Sequence, residues 1–205
     1  MRDVTIVVGT IGQSIMRSED NGKTWARIGP RRGFAYEASV RCIAMNPKNS
    51  KILFAGSERG LYRSEDGGAN WKYVDSEMNA YYIWAIAIDP KNPDNVFVGT
   101  GTPSPVTIFR SRDGGLTWQN RPVEVARECE NVGTPRVTGL AVDPIDNNHV
   151  WFSVEVDGAR HSRDGGDTWE MVPGSSNHEH ARKWHPCAGE RCMHTISRDV
   201  DRVHL

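Results

Sequence analysis

Four stretches decide how this chain reads: SEDNGKTW (18–25), SEDGGANW (64–71), SRDGGLTW (111–118) and SRDGGDTW (162–169). They share the form S-x-D-x-G-x-[TN]-W, and their serines stand 46, 47 and 51 residues apart. A fixed spacing of about 47 residues marks one supersecondary unit repeated along the chain, not a set of chance turns. The motif's letters carry their own physics. The Asp side chain accepts hydrogen bonds from backbone N–H groups of its own tight turn, and the glycines after it permit positive φ. The Trp is expected to pack back onto the sheet and the Ser hydroxyl to hold the other side of the hairpin. Asp20, Asp66, Asp113 and Asp164, with Trp25, Trp71, Trp118 and Trp169, are therefore read as structural. Four equivalent turns do not make one asymmetric catalytic site, and one or two carboxylates per turn fall short of a calcium loop.

Working outward, each period holds short strand-like runs. The second repeat has VRCIAMNP (40–47), KILFAG (51–56) and GLYRS (60–64); the third YIWAIAIDP (82–90), NVFVGTG (95–101) and TIFRS (107–111); the fourth RVTGLAVDP (136–144), HVWFSVE (149–155) and GARHS (158–162). Asn-Pro or Asp-Pro turns and Gly-containing loops separate them, which predicts four β segments per unit and no long helix. The first repeat has only VTIVVGT (4–10), SIMRS (14–18) and TWARI (24–28), so it lacks an inner strand.

These repeats resemble the Asp-box, or BNR, repeats of sialidase-like β-propellers, which also occur in sortilin-type receptors and photosystem assembly factors. The resemblance implies an all-β propeller of four-stranded antiparallel blades over residues 1–173, four blades being visible, with the boxes on outer hairpins away from the functional centre. Residues 174–205 form an irregular tail, and CMHTISR (192–198) is the candidate strand to complete the first blade. Two closures stay open: a four-bladed ring, or a stretch of a larger propeller completed by further blades or by a second copy of the chain.

Composition narrows the partners. The 205 residues carry 25 Lys+Arg against 26 Asp+Glu, a formal charge of −1, which argues against a nucleic-acid partner held by bulk electrostatics. Without an apolar run of about 18 residues or a visible export signal, no membrane partner is expected and the chain as given reads as cytoplasmic. No cofactor is called for. Cys187, Cys192 and His194 are weak zinc candidates, because C-x4-C-x-H departs from the usual spacing. Cys42 reads as a small buried hydrophobe and Cys129 as a loop residue, and four cysteines do not make a disulfide framework.

Aligning the inner strands on their prolines sets Ser39, Tyr82 and Arg136 at one level, Val40, Ile83 and Val137 at the next, then Arg41, Trp84 and Thr138. Alternation puts the first and third levels on one side. Tyr36, Arg41, Tyr82, Trp84 and Arg136 are accordingly the candidate ligand-binding residues, suited to a sugar-like or anionic ligand. The other reading packs Trp84 between blades and pairs the arginines with Glu37, Glu128 or Glu155. The leading functional expectation is a non-catalytic binding or assembly protein for a protein, peptide or carbohydrate ligand. The alternative is a sialidase-like exo-glycoside hydrolase acting on an anionic sugar. In that family three arginines hold the substrate carboxylate, a glutamate-activated tyrosine is the nucleophile and an aspartate the acid/base. For that role the resemblance implies Arg41 and Arg136 as two of the arginines, and Tyr82 with Glu155, or Tyr36 with Glu37, as nucleophile and helper. The family's early Arg-Ile-Pro is matched here only by the inserted Arg27-Ile28-Gly29-Pro30.

Overall fold

The computed structural model describes residues 4–128, 132–173, 197–198 and 203–204. The expected zinc candidates Cys187, Cys192 and His194, together with Cys129 and most of the 192–198 segment, lie outside the described residues. The chain divides into two compact units, Met1–Ile83 and Trp84–Leu205.

The first unit holds two antiparallel sheets. One is β1 (Ile6–Gly9), β2 (Ile15–Ser18) and β3 (Ala26–Ile28); the other is β4 (Val40–Met45), β5 (Leu53–Ser57), β6 (Gly60–Ser64) and β7 (Lys72–Tyr73). Short 3-10 turns occupy Pro30–Arg32 and Glu77–Ala80. In the second unit, β8 (Ile83–Ile88, beginning where the division falls), β9 (Val96–Thr100), β10 (Ile108–Ser111) and β11 (Gln119–Arg121) form one four-stranded sheet. Another consists of β12 (Val137–Val142), β13 (Val150–Val154), β14 (Gly158–Ser162) and β15 (Glu170–Met171). β16 (Ser197–Arg198) pairs with β17 (Val203–His204) as a separate ribbon. Among the described residues the fold is all-β with four antiparallel repeat sheets, the first three-stranded. These pairings define sheets and not a closed ring.

The turn motif is built the same way in every repeat. The carboxylates of Asp20, Asp66, Asp113 and Asp164 each accept the backbone N–H four residues on, at 2.8–2.9 Å. The other oxygen takes the Thr hydroxyl at 2.6 Å, or the Asn70 amide at 2.8 Å. Each motif serine accepts a glycine N–H, from Gly22, Gly68, Gly115 and Gly166, at 2.8–2.9 Å. The residue pair at the tip has two consecutive positive φ values, as in Gly67 (74°) and Gly68 (80°), which explains the recurring glycines. A second repeated turn supports the first. Asn46, Asp89 and Asp143 cap the Asn-Pro or Asp-Pro turns, and Gly67, Gly114 and Gly165 donate to carbonyls of those same turns at 2.9–3.0 Å.

Hydrogen bonds from Thr24 and Ser18 hold the Asp20 carboxyl at about 2. At Asp113, burial pushes upward, but the bonds from Thr117 and Ser111 prevail and its pKa also lies at about 2. Because the folded values lie below the ordinary ~3.9 of an unfolded aspartate, the stability these groups contribute is complete above that value. It is lost as pH falls through about 2. Urea midpoints should therefore hold level from pH 7 to 5 and fall between about pH 4 and 2, less steeply in Asp113→Asn. A midpoint unchanged down to pH 2 would contradict this account of the turns.

Within each unit, neighbouring repeats are fastened by two devices. A glycine in the second strand position leaves room for a β-branched side chain of the next inner strand. A Cβ on Gly9 would lie 2.6 Å from Val40, and on Gly99 2.4 Å from Val137. These two valines are buried at 4% and 0% exposure, so the middle inner-strand level faces inward. An arginine before the motif serine then reaches the next turn: Arg17 Nε donates to the Gly67 carbonyl at 3.0 Å, and Arg110 to the Gly165 carbonyl at 2.7 Å. The fourth repeat has neither residue. Ser153 stands at the glycine position, bonded to Thr138, and His161 at the arginine position, 3.7 Å from Glu170.

Candidate functional site

Trp84, at the second position of β8, projects from the half-buried side of a strand whose alternate residues Ile83, Ala85 and Ala87 are buried. It lies directly against Gly101. A Cβ there would stand 2.4 Å from the indole, so only glycine admits the ring at this depth. The Arg136 guanidinium covers the indole at 4.7 Å from the ring centroid, a cation–π contact. Arg136 Nε lies 3.3 Å from Glu155 Oε2, and the backbone tightens the same junction through Glu155 N–H donating to the Arg136 carbonyl at 2.9 Å. Glu155 is 9% exposed, so the carboxylate forms the floor and the arginine and indole the accessible rim. This arrangement offers an aromatic face, a cationic donor and a carboxylate acceptor within one cluster.

Tyr36 belongs to the first unit. It is 56% exposed, and the Arg27 guanidinium stacks 4.5 Å from its ring centroid, beside a cavity of about 340 Å³ that Arg31 and Arg32 also line. The Arg27-Ile28-Gly29-Pro30 string therefore supplies an aromatic partner at Arg27, a fully buried Ile28 and the start of a 3-10 turn at Pro30. Arg41 and Tyr82 are exposed residues of the same unit. Cys42 is half-buried, and desolvation pushes its thiol up to about 12, which removes it as a nucleophile.

Two features escaped the sequence reading. One is Gly101, whose role depends on Trp84 folding onto it; the only sequence signal is the G-T-G run that ends the second strand. The other is Asp167, the variable residue of the fourth turn, which gathers Arg110 at 2.8 Å, Arg112 at 3.1 Å and Arg121. Hydrogen bonding to Arg110 holds its carboxyl below the usual range. The resolved shifts of Glu19, Asp20, Glu65, Asp66, Asp113, Asp143, Asp164 and Asp167 all run downward, because these carboxylates serve turns and ion pairs. A general acid needs the opposite.

Comparison with known proteins places these sheets. The chain belongs to the sortilin (Sortilin-Vps10; neurotensin receptor 3) family, whose profile matches residues 59–198. Relatives include a xyloglucanase of Hypocrea jecorina, 30% identical over 129 residues, covering 62% of this chain and 15% of that protein. A Paenibacillus xyloglucanase is 27% identical over 167 residues, covering 75% and 16% respectively. The GH74 xyloglucanase structure from Xanthomonas campestris superposes with a TM-score of 0.71 at 17% identity, over 95% of this chain and 32% of that one. An ancestral GH74 enzyme gives 0.69 at 22% identity, over 82% and 22%. These superpositions show a shared fold. The chain spans about a sixth of the length of the xyloglucanases it matches.

Two expectations are corrected by these findings. The assignment to BNR, sialidase-like propellers gives way to a sequence relationship with xyloglucanases, since the shared turn motif defines a scaffold and not a chemistry. The expectation of a non-catalytic binding or assembly protein is likewise corrected, because the relatives are xyloglucanases. The hydrolase alternative agrees with them in reaction class, though not in its sialidase-like form.

Proposed function

We propose that this chain is part of a xyloglucanase-type glycoside hydrolase, its four sheets serving as blade-like units that hold a glucan chain. The observation that carries this reading is the sequence relationship to xyloglucanases, at 27–30% identity over 129–167 residues. The geometry at Trp84 supports it. A neutral glycan presents C–H faces that stack on an indole and hydroxyl groups that both donate and accept, which the Arg136–Glu155 pair can meet. In this reading Trp84 stacks a sugar ring, Arg136 donates to its hydroxyls and Glu155 fixes Arg136. Hydrolysis itself needs a proton donor at the leaving oxygen and a second carboxylate to activate water or attack. The Trp84 cluster's task is to hold the glycan for that step.

Electrophoresis through gels containing xyloglucan tests the binding half of the proposal. The protein is expected to be retarded by xyloglucan, and Trp84→Ala to relieve the retardation. Gly101→Val, which would force the indole off its seat, should weaken apparent affinity about tenfold, the equivalent of ~1.4 kcal/mol. Equal migration with and without the polysaccharide would refute it.

A further inference from the structure

We propose that the recess beside Trp169 is a binding site for a single sugar ring, separate from the Trp84 cluster. In the second repeat the equivalent seat is filled. There Phe34, from the linker before β4, stacks on Tyr62 at 4.1 Å between centroids and meets Trp71 edge-on at 5.7 Å. Phe34 is 1% exposed and Trp71 3%.

Strand pairing identifies the same seat in the fourth repeat. Tyr62 pairs with Tyr73, and Arg160 pairs with Met171; Tyr62 and Arg160 each stand two residues before the motif serine. The linker before β12 offers Glu124, Val125 and Ala126 at this place, and among the described residues no aromatic ring takes the place of Phe34. A cavity of about 450 Å³ remains between them and Arg160, Trp169 and Met171. That volume falls in the ~300–1,000 Å³ range of small-molecule sites.

Trp169 also departs from its counterparts. The indole N–H groups of Trp25, Trp71 and Trp118 donate to the carbonyls of Gly22, Gly68 and Gly115 at 3.0, 3.0 and 3.2 Å. Trp169 Nε1 is buried and makes no such bond. Buried donors are rarely left in this state, so the fourth indole lacks the tether that fixes the others.

The opposite wall is a prebuilt polar pair. Arg160 is 6% exposed and donates to Asp157 Oδ2 at 2.7 Å and to the Glu124 carbonyl at 3.2 Å. Asp157 Oδ2 also accepts the Ala126 N–H at 2.9 Å. An aromatic plug like Phe34 would match the apolar wall of Trp169, Val125 and Met171 but would strand this pair against hydrocarbon. A sugar ring meets both walls, laying C–H groups on the apolar side and turning hydroxyls toward Arg160 and Asp157. Recognition of one sugar unit here is independent of hydrolysis, and the recess shares no lining residue with the Trp84 cluster.

Indole ¹H–¹⁵N spectra test it directly. Trp169→Phe identifies the Trp169 cross-peak, and D-glucose, D-xylose, D-galactose and benzyl alcohol are titrated in turn. The expected result is a saturable shift of the Trp169 peak with at least one sugar, with the Trp71 peak unmoved. Ala126→Phe, which rebuilds the Phe34 plug, should abolish the shift; Ala126→Met serves the same purpose if the larger ring is not tolerated. No shift with any of the three sugars would overturn the proposal, as would a shift that persists in the plugged variant. A response to benzyl alcohol alone would assign the recess to an aromatic side chain of a partner instead. Xyloglucan retardation read in parallel separates failure of this site from failure of the proposed function.

Discussion

Trp71→Ala is expected to lower the unfolding free energy by about 3–5 kcal/mol, the usual cost of truncating a buried aromatic. Trp71 is 3% exposed, donates its indole N–H to the Gly68 carbonyl at 3.0 Å and forms one wall of the Phe34 seat. Its backbone N–H donates to the Arg32 carbonyl at 2.8 Å, a main-chain tie to the linker that Trp71→Ala retains, so the expected loss is that of the ring. The same substitution at Trp25 should cost under about 1 kcal/mol, near the range of surface changes. Trp25 occupies the identical motif position and makes the same Nε1 bond to Gly22, yet it is 43% exposed. Chemical denaturation of the two variants therefore separates the motif's own hydrogen bond from the packing around it. Equal losses would mean that the turn, and not the Phe34 seat, carries the energy.

Arg110→Ala comes next in expected effect, at about 2–3 kcal/mol, in the range of hydrogen bonds made by charged groups. The side chain is 1% exposed and bridges from β10 to the fourth turn, donating to the Gly165 carbonyl at 2.7 Å and to Asp167 at 2.8 Å. Burial lowers the Arg110 pKa, but the Asp167 carboxylate opposes that, and the guanidinium stays charged at any working pH. Asp167 is 42% exposed, so water can take over part of what Arg110 gives it; the stranded carbonyl is the larger loss. Arg112→Ala is the internal control. It reaches the same carboxylate from a side chain 60% exposed and should change stability by no more than about 0.5 kcal/mol. A denaturation series in which Arg112→Ala matched Arg110→Ala would locate the energy in the ion pair and not in the bridge between sheets.

Much of the scaffold was legible because it is local. The turn motif stabilises itself within eight residues, and alternation along YIWAIAI and RVTGLAV separates the buried level of Ile83 and Val137 from the half-buried level of Trp84 and Thr138. What differs between repeats was not legible. Trp25 and Trp71 read identically, and only the linkers decide that Phe34 covers one while the other stays open. Those linkers have neither a common length nor a common pattern, so periodicity says nothing about them. The site shows the same division. Arg136, Trp84 and Glu155 could be singled out by residue type and strand position, but their joining depends on Gly101, whose meaning appears only when the indole is laid against it. The reaction class was a matter of relatedness. A turn shared by many scaffolds carried the reading toward sialidases, whereas stretches of 129 and 167 residues align with xyloglucanases.

The proposal that the Trp84 cluster holds a xyloglucan-type glycan is tested most directly by calorimetric titration of xyloglucan oligosaccharides into the purified protein and its Trp84→Ala variant, with a sialoside titrated in parallel. Saturable binding of the xyloglucan oligosaccharides is predicted, weakened about tenfold or more in the variant by loss of a stacking contact worth ~1.4 kcal/mol, with no binding of the sialoside. Absence of xyloglucan binding, or an affinity that Trp84→Ala leaves unchanged, would contradict it.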